Sequence, residues 1–138
     1  MTYATRKNVH VDRCACAWLI RRFIDPDARF LFVDDETAPA GSIAFDMTGA
    51  EWGHHGEKCT FEVLLDLHKL GDPVLVQIGE IIHGADIVAD FDATLESPGI
   101  DLAFRGLRLV SRSDDEAIER GVILMDALYA AIDQGYRR

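Results

Sequence analysis

The chain has 138 residues, 49% of them hydrophobic, which suits one globular domain with a substantial core over residues 1–138 and excludes a disordered tail. Its formal net charge of −10 argues against nucleic-acid partners and against unaided capture of an oxyanion. No apolar run approaches the ~18 residues of a membrane span, and Met1 to Arg13 lacks the apolar core of a signal peptide, so no membrane partner is expected.

Lys7 to Asp12 reads as a short strand, followed by an amphipathic helix over Arg13 to Phe23 with Asp12 as its N-cap. Asp25-Pro26-Asp27 stops that helix. Arg29 to Val33 is the second strand, and Ser42 to Asp46, beyond a proline- and glycine-containing loop, is the third. The remainder is helical. Thr60 to Leu70 forms a short helix, and Asp72-Pro73 opens another that runs to about Val88. Pro98-Gly99 breaks the chain before a short segment, Ile100 to Val110. Ser113-Asp114-Asp115-Glu116 is a capping box that starts the longest helix, ending at Gly135. The expected fold is α/β: a small, mostly parallel sheet of about three strands covered by four to six helices.

Three apolar runs end in acids: Val9-His10-Val11-Asp12, Phe30 to Asp35, and Ile43 to Asp46. As neighbouring parallel strands they would gather His10, Asp12 and Asp46 beyond their carboxyl ends, where open α/β sheets bind ligands. On a strand, His10 and Asp12 would share one face. Asp34 and Asp35, followed by Glu36, read as a solvated acidic turn and stay outside the ligand set. His54-His55-Gly56 lies in a glycine-flanked loop, and only one of two adjacent histidines can reach a shared ion. Asp86 sits near the end of its helix, where the helix dipole disfavours an acid, and such a placement points to function. The expected metal ligands are therefore His10, Asp12, Asp46, His54 and Asp86, a donor set suited to zinc, manganese or iron. Glu62, Cys59 and His83 are candidate outer or additional ligands, and Arg13 with Arg22 a candidate oxyanion-binding pair. Cys14, Cys16 and Cys59 have neither structural-zinc nor redox spacing, so a reducing cytoplasm is the expected location.

The segment His10-Val11-Asp12-Arg13-Cys14-Ala15-Cys16-Ala17-Trp18-Leu19-Ile20-Arg21-Arg22-Phe23-Ile24-Asp25-Pro26 resembles the signature of the carboxyl-terminal domain of ChrB-type chromate-resistance proteins. Phe45-Asp46-Met47, His54-x-Gly56-x-x-Cys59-Thr60-Phe61-Glu62 and Met125-Asp126-Ala127-Leu128-Tyr129 continue the resemblance over nearly the whole chain. It carries His10, Asp12, Asp46, His54, Cys59, Glu62 and Asp86 as family-pattern positions, whereas His55 and His83 fall where basic residues are expected. It implies a cytoplasmic metal-binding accessory or sensor protein of chromate resistance. A separate amino-terminal, DNA-binding module is expected to be absent. A fainter similarity, in the order of Asp and His residues, is to DHH-type phosphoesterases, which would imply metal-dependent hydrolysis of a phosphate-containing ligand. The third expectation is a cysteine-based chromate reductase.

Overall fold

The computed structural model of the chain describes residues 1–91 and 93–135. Its sheet is parallel, with β1 (Thr2–Arg6) in the middle, β2 (Arg29–Val33) on one side and β3 (Ile43–Ala44) on the other. A central strand covered on both faces carries little alternation, and accordingly Tyr3, Ala4 and Thr5 are all buried. The first strand thus lies upstream of the segment that the hydropathy of Val9 and Val11 points to. Asn8 adopts a left-handed conformation (φ 63°) that ends β1. The next backbone N–H groups go to a side chain and not to a sheet: Asn8 N and Val9 N donate to the Asp114 carboxylate at 3.2 and 2.9 Å.

Helix α1 (Val11–Leu19) follows, with His10 at its N-cap position, and widens into a π-helical turn over Ile20–Ile24. Asp12 is therefore neither a strand residue nor the cap of this helix. It stands in the first turn of α1, and the expected His10–Asp12 pairing on one strand face does not occur. Beyond β3, Phe45 N donates to Ala4 O and Asp46 N to Trp52 O, so the chain continues beside the sheet edge as a loop.

Four helices complete the fold: α2 (Thr60–Leu67), α3 (Pro73–Asp86), α4 (Ser97–Val110) and α5 (Asp114–Asp133), with a 3-10 turn at Val88–Asp90. Helix α4 starts at Ser97 and includes Pro98, since a proline in the first turn lacks only an N–H that no helical carbonyl would accept. Ser113 caps α5 by accepting from Glu116 N at 3.1 Å. Helix α1 is packed against α2, α3 and α5. Its Trp18 is stacked on Phe61 of α2, and its indole N–H donates to Asp126 of α5 at 2.8 Å. Among the described residues, three parallel strands and five α-helices match the architecture expected from the sequence. None of these helices is long and apolar enough to cross a membrane.

Helices α3 and α4 approach closely at Gly84, where a Cβ would lie 2.3 Å from Ser97 Oγ and 2.9 Å from Ser97 Cβ. Ser97 cannot move freely, because its hydroxyl donates to Ile81 O at 2.9 Å. Gly84→Ala is expected to overpack this contact and lower stability by about 1–3 kcal/mol. The check is a lower urea midpoint at unchanged slope.

Candidate functional site

The carboxyl ends of the strands point to the site. The chain leaves β3 through Phe45 and turns at Asp46, which takes a left-handed conformation (φ 50°). Asp is among the few L-residues that tolerate this region, at some conformational cost. Asp46 Oδ1 accepts from Thr60 Oγ1 at 2.7 Å, and Oδ2 faces Arg13 Nε at 3.2 Å. Asp12, in the turn of α1 that follows β1, is buried (2% exposed). Its carboxylate accepts from Thr60 N at 3.0 Å and Phe61 N at 3.1 Å, which are the first two backbone donors of α2. A carboxylate from one helix thus satisfies the exposed amides at the positive end of another. Asp86 comes from the last turn of α3.

These three carboxylates converge on one imidazole nitrogen. His54 Nε2 lies 3.3 Å from Asp12 Oδ2, 3.5 Å from Asp46 Oδ1 and 3.1 Å from Asp86 Oδ2. With Arg13 and His10 they line a cleft of about 340 Å³. Burial pushes the Asp46 carboxyl up to about 6, with the charge of Asp12 adding to the effect. Burial and the charges of Asp12 and Asp46 push Asp86 up to about 7. The hydrogen bond with Asp12, helped by the other two carboxylates, pushes His54 up to about 9. At neutral pH His54 is therefore an imidazolium held among three acids.

Of the five sequence-derived ligands, Asp12, Asp46, His54 and Asp86 come together. His10 borders the same cleft, but its Nε2 is bound to Asp101 Oδ1 at 2.7 Å. Asp101 also accepts from Arg105 Nε at 2.9 Å. The other ring nitrogen, His10 Nδ1, is buried without a hydrogen-bond partner. An imidazole fixed by a carboxylate through one nitrogen and offering the other is the usual arrangement of a histidine ligand. This orphaned nitrogen and the oxygen-rich donor set both fit a divalent cation. Asp101 carried no signal in the sequence, since it lies 91 residues from its partner.

Glu62, Cys59 and His83 form a second cluster of their own. His55 points away and is bonded to Glu51 O at 2.7 Å, which leaves His54 as the histidine that reaches the acids. Asp34, exposed, pairs with Lys7 at 2.8 Å, and Asp35 accepts from Thr37 N, so neither joins the site. Arg22 makes two hydrogen bonds to Asp126 of α5, at 3.1 and 2.8 Å, and is not among the residues that line the cleft. Among the described residues, Arg13 supplies the guanidinium there. All three cysteines are buried. Burial pushes the Cys14 thiol up to about 12 and raises Cys16 and Cys59 as well, which leaves little thiolate for reduction chemistry.

These features define a small parallel α/β domain with an acidic, histidine-centred cleft at the carboxyl ends of its strands. The chain belongs to the ChrB C-terminal domain family, whose model matches residues 3–132. It is 37% identical over 138 residues to Protein ChrB of Cupriavidus metallidurans (strain ATCC 43123 / DSM 2839 / NBRC 102507 / CH34), covering 99% of this chain and 42% of that protein. The chain therefore spans less than half the length of this curated relative. No solved structure matches it.

Proposed function

We propose that this domain is a cation-binding accessory or sensor module of chromate resistance, holding one divalent ion among Asp12, Asp46, His54 and Asp86. Membership of the ChrB family supports the link to chromate resistance. The convergence of three carboxylates on His54 Nε2, within 3.1–3.5 Å, carries the reading of the site. Without an ion, the positive charges facing these acids among the described residues are the His54 proton and the Arg13 guanidinium, beside the hydrogen bonds from Thr60 and Phe61. A divalent cation would neutralise more of the charge, with His54 turning from counter-ion into neutral ligand. His10, held by Asp101 through Nε2, borders the same cleft. Oxygen and imidazole donors without sulfur favour manganese, iron(II) or zinc. The left-handed backbone at Asp46 supports the same reading, because strained residues cluster at ligand sites. A bound cation beside Arg13 would also offset the net charge of −10 and let a small oxyanion such as chromate approach.

Elemental mass spectrometry of protein purified without chelator tests this reading. About one manganese, iron or zinc per chain is expected in the parent. The ion should be lost from both His54→Ala and Asp46→Asn, the second chosen because asparagine tolerates the left-handed backbone. Metal-free parent protein that also fails to take up added divalent ions would end the proposal. Chromate should bind the loaded protein more tightly than the chelator-stripped one, and equal binding would remove the oxyanion role.

A further inference from the structure

On the other side of the α2 N-terminus lies a second group of donors that the Asp46 cluster does not use. Cys59 Sγ, a Glu62 carboxylate oxygen and a His83 ring nitrogen all lie within 4.8 Å of one another. His83 Nδ1 is 2.5 Å from Glu62 Oε1, and its Nε2 is 2.6 Å from Asp90 Oδ2. Cys59 is buried at the N-cap position of α2, Glu62 stands one turn on, and His83 reaches across from α3. We propose that Cys59, Glu62 and His83 form a second, separate site for a borderline divalent cation such as zinc, with Asp90 orienting the imidazole.

The donor chemistry separates this site from the first. A coordinated cation would displace the proton that burial keeps on Cys59 in the metal-free protein, and thiolate, imidazole and carboxylate together suit zinc or cobalt, whereas the first cluster offers oxygen and imidazole only. Three protein donors with a fourth position left to water is the pattern of an open zinc site. A tetrahedral ion sits about 2.0–2.3 Å from each donor, which places donors roughly 3.5 Å apart, so the side chains need shift only modestly to close on it. His83 bridges two carboxylates and so carries both ring protons. A cation replaces the proton on Nδ1, while Nε2–H continues to donate to Asp90, giving the carboxylate–histidine–metal arrangement of known metal sites. Glu62 lines a cleft of about 490 Å³ between α2 and α3, bordered also by Lys58, Leu65 and Gly79, that shares no residue with the cleft of Asp46 and His54. Lys58 is paired with Asp66, and Glu62 Oε1 also accepts from Cys59 N at 3.2 Å, which holds the carboxylate beside the thiol.

Titrating chelator-stripped protein with cobalt(II) tests the inference, because only a thiolate ligand gives a near-ultraviolet sulfur-to-cobalt charge-transfer band. The parent protein should show the band. Cys59→Ser should abolish it, and His83→Asn should weaken cobalt binding at least tenfold by the band's titration curve. Asp90→Asn should keep the band but weaken binding about 10–100-fold, as loss of an outer-shell partner does. His54→Ala should keep the band intact, so failure of the first site leaves this result readable. Parent protein without the band, or a band that survives Cys59→Ser and disappears in Cys16→Ser, would overturn the proposal. The parent measurement needs no variant to fold, and cooperative melting of each variant guards the others.

Discussion

Asp12→Ala should lower stability by about 3–5 kcal/mol, the largest loss expected from any single substitution at the cleft. Its carboxylate is buried and accepts from the first two amides of α2, at 3.0 and 3.1 Å, and from Cys16 Sγ at 3.4 Å. Each amide left without a partner in a dry interior costs about 1–3 kcal/mol. The positive end of α2 also loses a buried anion in direct contact. Asp12→Asn is expected to fall between the parent and Asp12→Ala, since one amide oxygen still accepts while the NH₂ group faces a backbone donor. Removing the Asp12 charge also removes a stated cause of the raised carboxyls of Asp46 and Asp86. In whichever variant remains folded, both should therefore titrate at lower pH by NMR. An Asp12→Ala protein that melts within a few tenths of a kcal/mol of the parent would show that Asp12 does not hold the α1–α2 junction.

The helices were legible because their signals are local. Asp72-Pro73 and Ser113 through Glu116 mark their own starts, and the structure places caps at Asp72 and Ser113. The parallel sheet was legible as a class, but β1 was not, since a strand buried on both faces lacks the alternation that marks a half-exposed one. Val9 and Val11 imitate a strand because both are buried, yet Val9 N donates to the distant Asp114 carboxylate and Val11 opens α1. Four of the five ligand candidates come together even though hydropathy puts Asp12 on the wrong element. The error is harmless because a strand end and the following helix N-terminus occupy the same edge of the sheet. The partners that define the site's electrostatics, Thr60 for Asp46 and Asp101 for His10, lie 14 and 91 residues away. No periodicity or spacing rule connects such pairs. Likewise, Cys59, Glu62 and His83 look like satellites of one site in the sequence, but their donor atoms gather in a group of their own, apart from Asp12, Asp46 and His54.

Chelator-treated protein should lose stability steadily from pH 5 to pH 9, and a bound divalent cation should flatten or reverse that slope. Asp46 and Asp86 hold their protons up to about 6 and about 7 when folded, against about 3.9 for an unperturbed Asp. Between those values the folded chain binds protons that the unfolded chain has released, so its stability falls as pH rises through the window. His54 has the same slope for the opposite reason. Its folded value of about 9 adds stability that is fully present below about 6.5, the unfolded value, and is lost as pH passes 9. Each tenfold change in proton affinity corresponds to about 1.4 kcal/mol. With the two acids sharing one repulsion and half-exposed His54 discounted for solvent, the combined change is on the order of 3 kcal/mol. A divalent cation binds the deprotonated forms, so its affinity rises over the range in which the metal-free protein weakens. At a concentration 100-fold above its dissociation constant it contributes about 2.7 kcal/mol, close to the whole deficit. Melting curves in chelator and in excess manganese or zinc, at half-unit intervals of pH, should therefore diverge as pH rises. Asp46→Asn should narrow the divergence and make the chelator curve shallower. Parallel curves with and without cation would refute a metal at this cleft, and a chelator curve that rises from pH 5 to pH 8 would refute the charge arrangement itself.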